Sequence, residues 1–148
     1  MGEISVNRKA YFDYEILETY EAGIELYGFE VKAVKTNRMN LTGAFVVPKD
    51  NGLFLINAAI APYQPNNTPA DYDPNRSRRL LLKKIEIKEL SGAVSKRGLT
   101  IVPLRVYIKH NLIKISIGLA LHKKKTDKRE LIKKREATRE VERVLKRG

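Results

Sequence analysis

A cluster of arginine and lysine side chains around three leucines is the feature of the sequence with the clearest chemistry. Residues 73–84 read DPNRSRRLLLKK, with Arg76, Arg78 and Arg79 before the leucines and Lys83 after them. Guanidinium groups bind phosphate oxygens through paired hydrogen bonds, and leucines that cannot all point inward leave an apolar contact beside the charge. The segment indicates a phosphate-binding surface, although a β-strand with a solvated basic face would have the same composition.

An acidic residue between a tyrosine and a flexible glycine stands out in this basic chain. The stretch Tyr20-Glu21-Ala22-Gly23 would be unremarkable as a surface turn. On RNA, however, a carboxylate can accept hydrogen bonds from base amino groups or from ribose 2′-hydroxyls, whereas phosphates repel it. Glu21 is therefore either a turn residue or a contact to parts of RNA other than phosphate.

Residue types that support catalysis or bind metals do not occur here in a recognisable spacing. The sequence has two histidines, His110 and His122, and no cysteine. It contains no P-loop, no nucleophile elbow and no paired-histidine zinc motif. We therefore expect a protein without catalytic activity, metal or cofactor.

The charge of the chain points to an anionic partner. The 148 residues include 29 Lys and Arg against 17 Asp and Glu, which gives a net charge of +12. No apolar run reaches the roughly 20 residues that a membrane span needs, and the N-terminus does not resemble a signal peptide. Because cysteine is absent, we expect a cytoplasmic protein. Because the net charge is strongly positive, we expect an anionic partner, with nucleic acid favoured.

The C-terminal tail, residues 122–148, is strongly basic and has only a thin apolar stripe formed by Leu131, Thr138, Val141 and Leu145. This stripe is too narrow to pack well, and isolated helices of this length are marginal in water. We expect the tail to be disordered in the free protein and helical when bound to an anionic surface. A solvated leash without a specific role is the alternative.

The body of the chain is predicted to consist mainly of β-strands. Residues 104–121 alternate between apolar and polar types, which predicts two antiparallel strands joined at residues 109–111. A second hairpin is predicted where residues 45–47 and 53–56 flank the turn-forming residues 48–52. The alternation of Phe12, Tyr14 and Ile16 predicts a further strand, with a kink at Gly23.

Two short helices are predicted between the strands. One covers residues 29–38, and the other covers residues 82–95 with Ile85, Leu90 and Val94 on its buried face. Short strands close most economically into a barrel, because closure removes exposed sheet edges. We therefore expect a mainly β, OB-like closed antiparallel barrel of about six strands with two or three short helices.

The predicted barrel spans residues 1–121, and the basic tail follows as a separate part. Within the barrel domain, residues 62–75 contain four of the six prolines and are predicted to form a long surface loop.

Six short motifs run through nearly the whole chain: Asn7-Arg8-Lys9-Ala10, Tyr20-Glu21-Ala22-Gly23-Ile24, Gly28-x-Glu30-Val31-Lys32, Asp73-Pro74-x-Arg76-x-Arg78-x-Leu80-Leu81-Leu82, Gly98-Leu99-Thr100-x-Val102-Pro103-Leu104 and Lys123-Lys124-x-x-Asp127-Lys128-Arg129. In this order they resemble the small protein B family, the SsrA-binding proteins of bacterial trans-translation. The resemblance implies an OB-like barrel that binds the tRNA-like domain of tmRNA and escorts it, with elongation factor Tu, to a stalled ribosome.

The resemblance also implies which residues bind RNA. The implied tmRNA contacts are Asn7, Glu21, Leu81, Lys83 and Lys114, with Arg76 and Arg78 nearby. The tail would enter the empty mRNA channel of the small ribosomal subunit, so that the nascent chain is tagged and the ribosome is rescued. The residues assigned to the ribosome are Lys123, Lys124, Asp127, Lys128, Arg129, Lys133, Lys134 and Arg135. The protein would act as a monomer without catalytic activity.

The tail departs from the family pattern at two positions. His122 stands where family members usually have glycine, and Thr126 stands where they have an aromatic residue or histidine. The proline-rich loop also lacks the usual Asn-Arg pattern, so no contacts are assigned to it. The competing hypotheses are a ribosomal protein that binds ribosomal RNA and, less favoured, an RNA-processing enzyme.

Overall fold

The computed structural model of the protein describes residues 2–124, 135, 136 and 139. Within residues 2–124 there are three α-helices, α1 (Arg8–Asp13), α2 (Gly28–Lys35) and α3 (Lys84–Arg97), and one 3₁₀ turn, Pro65–Asn67. The strands of the same region are β1 (Gly2–Val6), β2 (Tyr14–Ile24), β3 (Met39–Asn40), β4 (Phe45–Lys49), β5 (Gly52–Ile56), β6 (Ala59–Ile60), β7 (Arg78–Leu81), β8 (Thr100–Lys109) and β9 (Leu112–His122).

Six of the strands close into a ring. Strands β8, β4, β5, β7, β2 and β9 are hydrogen-bonded neighbours in that order, and β9 pairs back with β8. The link between β4 and β8 is a single residue pair, Val46 with Ile101, whereas β1 pairs with the later part of β8. Strands β3 and β6 form a separate two-stranded sheet. The prediction of a mainly β fold with about six strands closed on one another is confirmed.

The hydrophobic core is built from alternate positions of the ring strands. Leu53 and Leu55 of β5 and Ile115 and Ile117 of β9 are fully buried. This spacing of two follows from the strand geometry, in which successive side chains point to opposite faces. Leu90 of α3 belongs to the same core cluster. The outer face of the strands is thereby left for polar side chains.

Both predicted hairpins are confirmed. His110 and Asn111 join β8 to β9 with φ angles of 51° and 62°, and Asp50 and Asn51 join β4 to β5 with φ angles of 48° and 57°. Positive φ at both central residues gives a turn whose twist matches that of the flanking strands. Asn and Asp adopt this conformation more readily than most residues, which explains why the turns were visible in the sequence.

The N-terminal part of the chain differs from the prediction. Phe12 lies in helix α1 and is not on one strand face with Ile16. A helix of six residues is too short to show a helical period, so its apolar residues were assigned to the following strand. The irregularity in β2 lies between Ile16 and Glu18, where the register shifts, and the strand continues through Gly23.

Helices α2 and α3 form close to their predicted positions, with one error in the buried face. Leu90 is buried and Val94 packs against the core, but Ile85 is 62% exposed. Ile85 lies in the first turn of α3, beside Lys84 at the start of the helix. The predicted surface loop is confirmed as largely irregular structure, interrupted by the single 3₁₀ turn.

Candidate RNA interface

Four neighbouring strands present one row of residues on the outer face of the ring. Antiparallel pairing places Tyr107 opposite Lys114, Lys114 opposite Gly23, and Gly23 opposite Leu81. Residues paired in this way point to the same face of a sheet. Leu81 is 51% exposed, so this is the solvent face. Two predicted RNA contacts, Leu81 and Lys114, are thus brought together, and we call Tyr107, Lys114, Gly23 and Leu81 the outer row.

Glycine in the middle of the outer row keeps the surface between its neighbours open. A Cβ atom built on Gly23 would lie 3.3 Å from Cβ of Leu81. This distance is tighter than most Cβ contacts, so a larger residue would press on the leucine. Lys83 is exposed two residues beyond Leu81, immediately before α3.

A shallow cleft of about 200 Å³ adjoins the outer row. Its lining includes the exposed side chains of Leu81 and Leu112, the apolar residues Leu26 and Val31, and Lys114. An exposed apolar surface beside an ammonium group can hold an unstacked base next to a phosphate.

Glu21 lies on the same face as the outer row, opposite Ser116 in the β2–β9 pairing. Its carboxylate accepts a hydrogen bond from the Tyr107 hydroxyl, and Lys109 Nζ lies 3.3 Å and 3.4 Å from its two oxygens. The Tyr107 hydroxyl is the largest cause that lowers the pKa of Glu21, and Lys109 adds to it. Burial and the bond to Glu21 raise the pKa of Tyr107 to about 12. At neutral pH Glu21 is therefore ionised and Tyr107 protonated.

Arg78, by contrast, is buried in an ionic cluster around Glu30. Both side chains are 0% exposed, and Arg78 Nε and Nη2 lie 2.9 Å and 2.6 Å from Glu30 Oε2. Arg76 also donates to Glu30, as do the Tyr27 amide at 2.9 Å and the Tyr72 hydroxyl at 3.0 Å. Burial alone would raise the pKa of Glu30, but hydrogen bonds from Arg76, Tyr27 and Arg78 outweigh it and hold this pKa below its usual range.

Arg78 is therefore enclosed by partners from its own chain, and its contact with RNA stays a prediction. The remaining donors of Arg78 are directed to the carbonyls of Ala58 at 2.7 Å and Pro74 at 3.0 Å. Arg76 is partly exposed, but its guanidinium is bound to Glu30 and lies 4.0 Å from the centroid of the Tyr27 ring. Both arginines thus attach the proline-rich loop to α2 and β7.

Arg79, which belongs to the basic segment but not to the implied tmRNA contacts, lies on the outer face. It pairs with Phe54 of β5, and its guanidinium lies 4.6 Å from the centroid of the Phe54 ring. The signal was present in the sequence. Alternation along β7 places Arg79 on the face of Leu81 and places Arg78 on the face of the buried Leu80.

Asn7, for which an RNA contact stays a prediction, also has a structural role. It is buried at the start of α1, where its side-chain oxygen accepts a hydrogen bond of 3.2 Å from the Ala10 amide. Its side-chain nitrogen donates to the carbonyls of Pro103 at 2.8 Å and Leu41 at 3.3 Å. Asparagine before a helix is a common N-cap, so this role was recognisable from the residue type.

The described part of the tail adjoins α1. Strand β9 ends at His122, next to the predicted domain boundary, and the Lys123 amide donates to the carbonyl of Asp13 at 2.8 Å. Lys124 is exposed, and the guanidinium of Arg135 lies 5.7 Å from the centroid of the Phe12 ring. The other residues assigned to the ribosome lie outside the described residues, namely Asp127, Lys128, Arg129, Lys133 and Lys134. Arg135, Glu136 and Arg139 have helical backbone conformation, and the disorder of the free tail stays a prediction.

Two further properties concern the described residues alone. No group of three or more His, Asp or Glu side chains among them could hold a metal ion. None of the helices within this part of the chain is long and apolar enough to cross a membrane.

Comparisons with known proteins agree with the six motifs. The sequence model of the SmpB protein family matches residues 4–147. The SsrA-binding protein of Gloeothece citriformis is 48% identical over 144 residues, covering 97% of this chain and 93% of that protein. The SsrA-binding protein of Chloroflexus aurantiacus is 47% identical over 147 residues, covering 99% and 92%.

A solved structure shares the fold as well. A chain of "tmRNA-SmpB: a journey to the center of the bacterial ribosome" is similar with a TM-score of 0.68 and 45% sequence identity, covering 84% of this chain and 87% of that chain. The family model covers nearly the whole chain, and the named relatives are similar over almost their full length. The chain therefore belongs to the SmpB family.

Proposed function

We propose that this protein binds the tRNA-like domain of tmRNA through the outer row and its neighbours, and that it acts in the rescue of stalled ribosomes. Relatives of similar length are named SsrA-binding proteins, and the similar solved structure names tmRNA and the ribosome with SmpB. The observation that carries the proposal is the outer row, in which exposed Leu81 and half-buried Lys114 flank Gly23. Glu21 and Lys83 complete this surface.

The chemistry of this surface fits folded RNA better than a uniform array of phosphates. The ammonium groups of Lys83 and Lys114 bind phosphates, and Leu81 offers an apolar contact to a base. Glu21 would repel phosphate but accepts hydrogen bonds from base amino groups or 2′-hydroxyls. Arg79 takes the place of the buried Arg78 as the basic side chain of β7 on this face.

We infer a second role for residues 122–148, which carry much of the positive charge. In this proposal the tail enters the empty mRNA channel of the small ribosomal subunit and becomes helical there against ribosomal RNA. Elongation factor Tu takes part through tmRNA, and the protein acts as a cytoplasmic monomer. No step requires a catalytic group from this chain.

The tmRNA contact is tested by gel-shift titration of the tRNA-like domain of tmRNA, an elongator tRNA and a ribosomal RNA fragment. We expect the tRNA-like domain to bind tightest, and we expect Leu81→Ala to weaken it by about tenfold, since a base contact contributes roughly 1–3 kcal/mol. Leu17→Ala is the matched control, because Leu17 is exposed on β2 away from the outer row. Preference for the ribosomal RNA fragment would support the ribosomal-protein alternative.

The role of the tail is tested with a chain that ends after Lys124. This cut keeps β9 and the contacts of Lys123 with Asp13 and Tyr11. The shortened protein should bind tmRNA with unchanged affinity but fail to support tagging of stalled nascent chains. Tagging at the normal rate would overturn the assignment of the tail to the ribosome.

A further inference from the structure

We propose that Tyr107 is a positioning residue for RNA recognition, because its hydroxyl group fixes the Glu21 carboxylate in the orientation that RNA meets. This inference rests on the proposed function, and it adds strand β8 to the surface that recognises tmRNA. Neither Tyr107 nor Lys109 belongs to the residues that the sequence motifs selected.

The bond between Tyr107 and Glu21 spans three adjacent strands. Tyr107 lies on β8, Glu21 lies on β2, and β9 runs between them. The residue of β9 opposite Glu21 is Ser116, whose side chain is small and buried. A larger residue there would occupy the space over which the tyrosine reaches. The serine thus allows the phenol hydroxyl to meet the carboxylate above the middle strand.

The charged groups around Glu21 come from strands β1, β8 and β9. Lys109 of β8 and Lys114 of β9 are the cations that act on its carboxylate. Arg105 of β8 lies 3.5 Å from Glu3 of β1, and both side chains are about half exposed. A cleft of about 370 Å³ is lined by Glu3, Glu21, Arg105, Tyr107 and Lys109. Glu21 therefore stands at the edge of a space that an RNA chain can enter.

Tyr107 is better suited than Lys109 to fix the carboxylate. Lysine has a long flexible side chain, and exposed ion pairs are weakened by solvent and salt. Tyrosine has two side-chain torsions, and Tyr107 is half-buried, so its hydroxyl is held in place by packing. An ionised carboxylate has about four acceptor positions, which leaves some for RNA after the tyrosine and the lysine have bound.

Fixing the carboxylate before RNA arrives improves affinity. A free glutamate side chain samples several rotamers, and its ordering on binding opposes association. The hydrogen bond from the Tyr107 hydroxyl restricts these rotamers before RNA binds, so that less conformational entropy is lost on binding. Loss of the hydroxyl should therefore weaken RNA binding without changing the charge of the protein.

The first test compares two single variants of the full chain with the wild type in binding to the tRNA-like domain of tmRNA. Tyr107→Phe should weaken binding by about three- to tenfold, which lies in the range of the net contribution of a typical hydrogen bond. Tyr20→Phe is the matched control, since the Tyr20 hydroxyl lies 3.0 Å from Glu18 and 3.4 Å from Glu89 of α3, away from Glu21. Its affinity should equal that of the wild type.

A double variant separates positioning from an independent RNA contact. If Tyr107 acts through Glu21, Tyr107→Phe should have no further effect in a Glu21→Gln background. The same loss of affinity in both backgrounds would overturn the proposal, as would unchanged binding by Tyr107→Phe alone. If Glu21→Gln itself does not weaken binding, the RNA contact of Glu21 in the proposed function fails, whatever Tyr107 does.

A second readout follows Glu21 directly in the free protein. Nuclear magnetic resonance titration of the Glu21 carboxyl carbon should show a higher pKa in Tyr107→Phe than in the wild type, because the hydroxyl that lowers it is gone. The pKa of Glu21 should not change in Tyr20→Phe. A pKa of Glu21 that is the same in all three proteins would contradict the positioning role.

Discussion

Two glutamates of this protein bind the same kinds of partner, a tyrosine hydroxyl and basic side chains, yet they differ in what they do. Glu30 is 0% exposed and is enclosed by Arg76, Arg78 and Tyr72. The side chain of Glu21 is 40% exposed, and its partners Tyr107 and Lys109 come from one strand. Burial therefore decides whether such a cluster holds the fold together or meets a partner.

The difference follows from the dielectric environment of the two carboxylates. A buried charge that loses its partner cannot be solvated by water, so every member of the Glu30 cluster is needed. A half-exposed carboxylate is solvated in any case, so its partners contribute little to stability. Glu21 is thus available for the proposed RNA contact, whereas a change at Glu30 destabilises the fold.

The largest expected effect is the loss of stability on substitution of the buried Glu30. Glu30→Ala should reduce the free energy of unfolding by about 3–5 kcal/mol, because it leaves Arg78 charged and unpaired in the interior. Glu21→Ala should change it by less than about 0.5 kcal/mol. Urea denaturation of both variants measures the contrast. Equal stability of the two variants would remove the distinction between the clusters.

A matched pair of Tyr→Phe substitutions sharpens the comparison. The Tyr72 hydroxyl lies 3.0 Å from Glu30 and 2.9 Å from the Ile60 carbonyl, and it accepts from Arg78. Tyr72→Phe should therefore cost about 1–3 kcal/mol of stability. Tyr107→Phe should cost less than about 0.5 kcal/mol while it weakens RNA binding. Thermal unfolding and RNA titration of both variants should show that Tyr72→Phe loses stability and that Tyr107→Phe loses RNA affinity. The reverse pattern would refute the comparison.

The smallest expected effect appears in the dependence of stability on pH. Both glutamates have a lowered pKa in the folded protein, so each stabilises the fold above the unfolded pKa of about 4.3. This stabilisation is lost as the pH falls through the folded pKa. Glu21→Gln should leave the acid limb of the stability curve nearly unchanged, since solvent screens its partners. A limb that Glu21→Gln flattens as much as Glu30→Gln does would contradict this assignment.

Local patterns in the sequence were sufficient for much of the fold. The two hairpins were predictable because alternating residues define a strand face and because Asn and Asp mark the turns around Asn51 and Asn111. The row through Leu81 and Lys114 was reached through family motifs, and the strand pairing now gives its geometry.

The structural partner of a residue is hard to predict where that partner lies far away in the sequence. Arg78 and Glu30 are 48 positions apart, so their pairing cannot be inferred from the neighbours of either. An arginine before three leucines has the same local appearance whether it binds phosphate or a buried carboxylate. The cap role of Asn7 was missed for another reason, because the helix that it caps is only six residues long.

The most direct test of the account is the affinity of Glu21→Ala for the tRNA-like domain of tmRNA, measured by gel shift at two salt concentrations. If the outer face attracted RNA by charge alone, removal of a negative charge would tighten binding. The account predicts the opposite, weaker binding at both salt concentrations, because Glu21 contacts hydroxyl or amino groups of the RNA. Unchanged or tighter binding would contradict it.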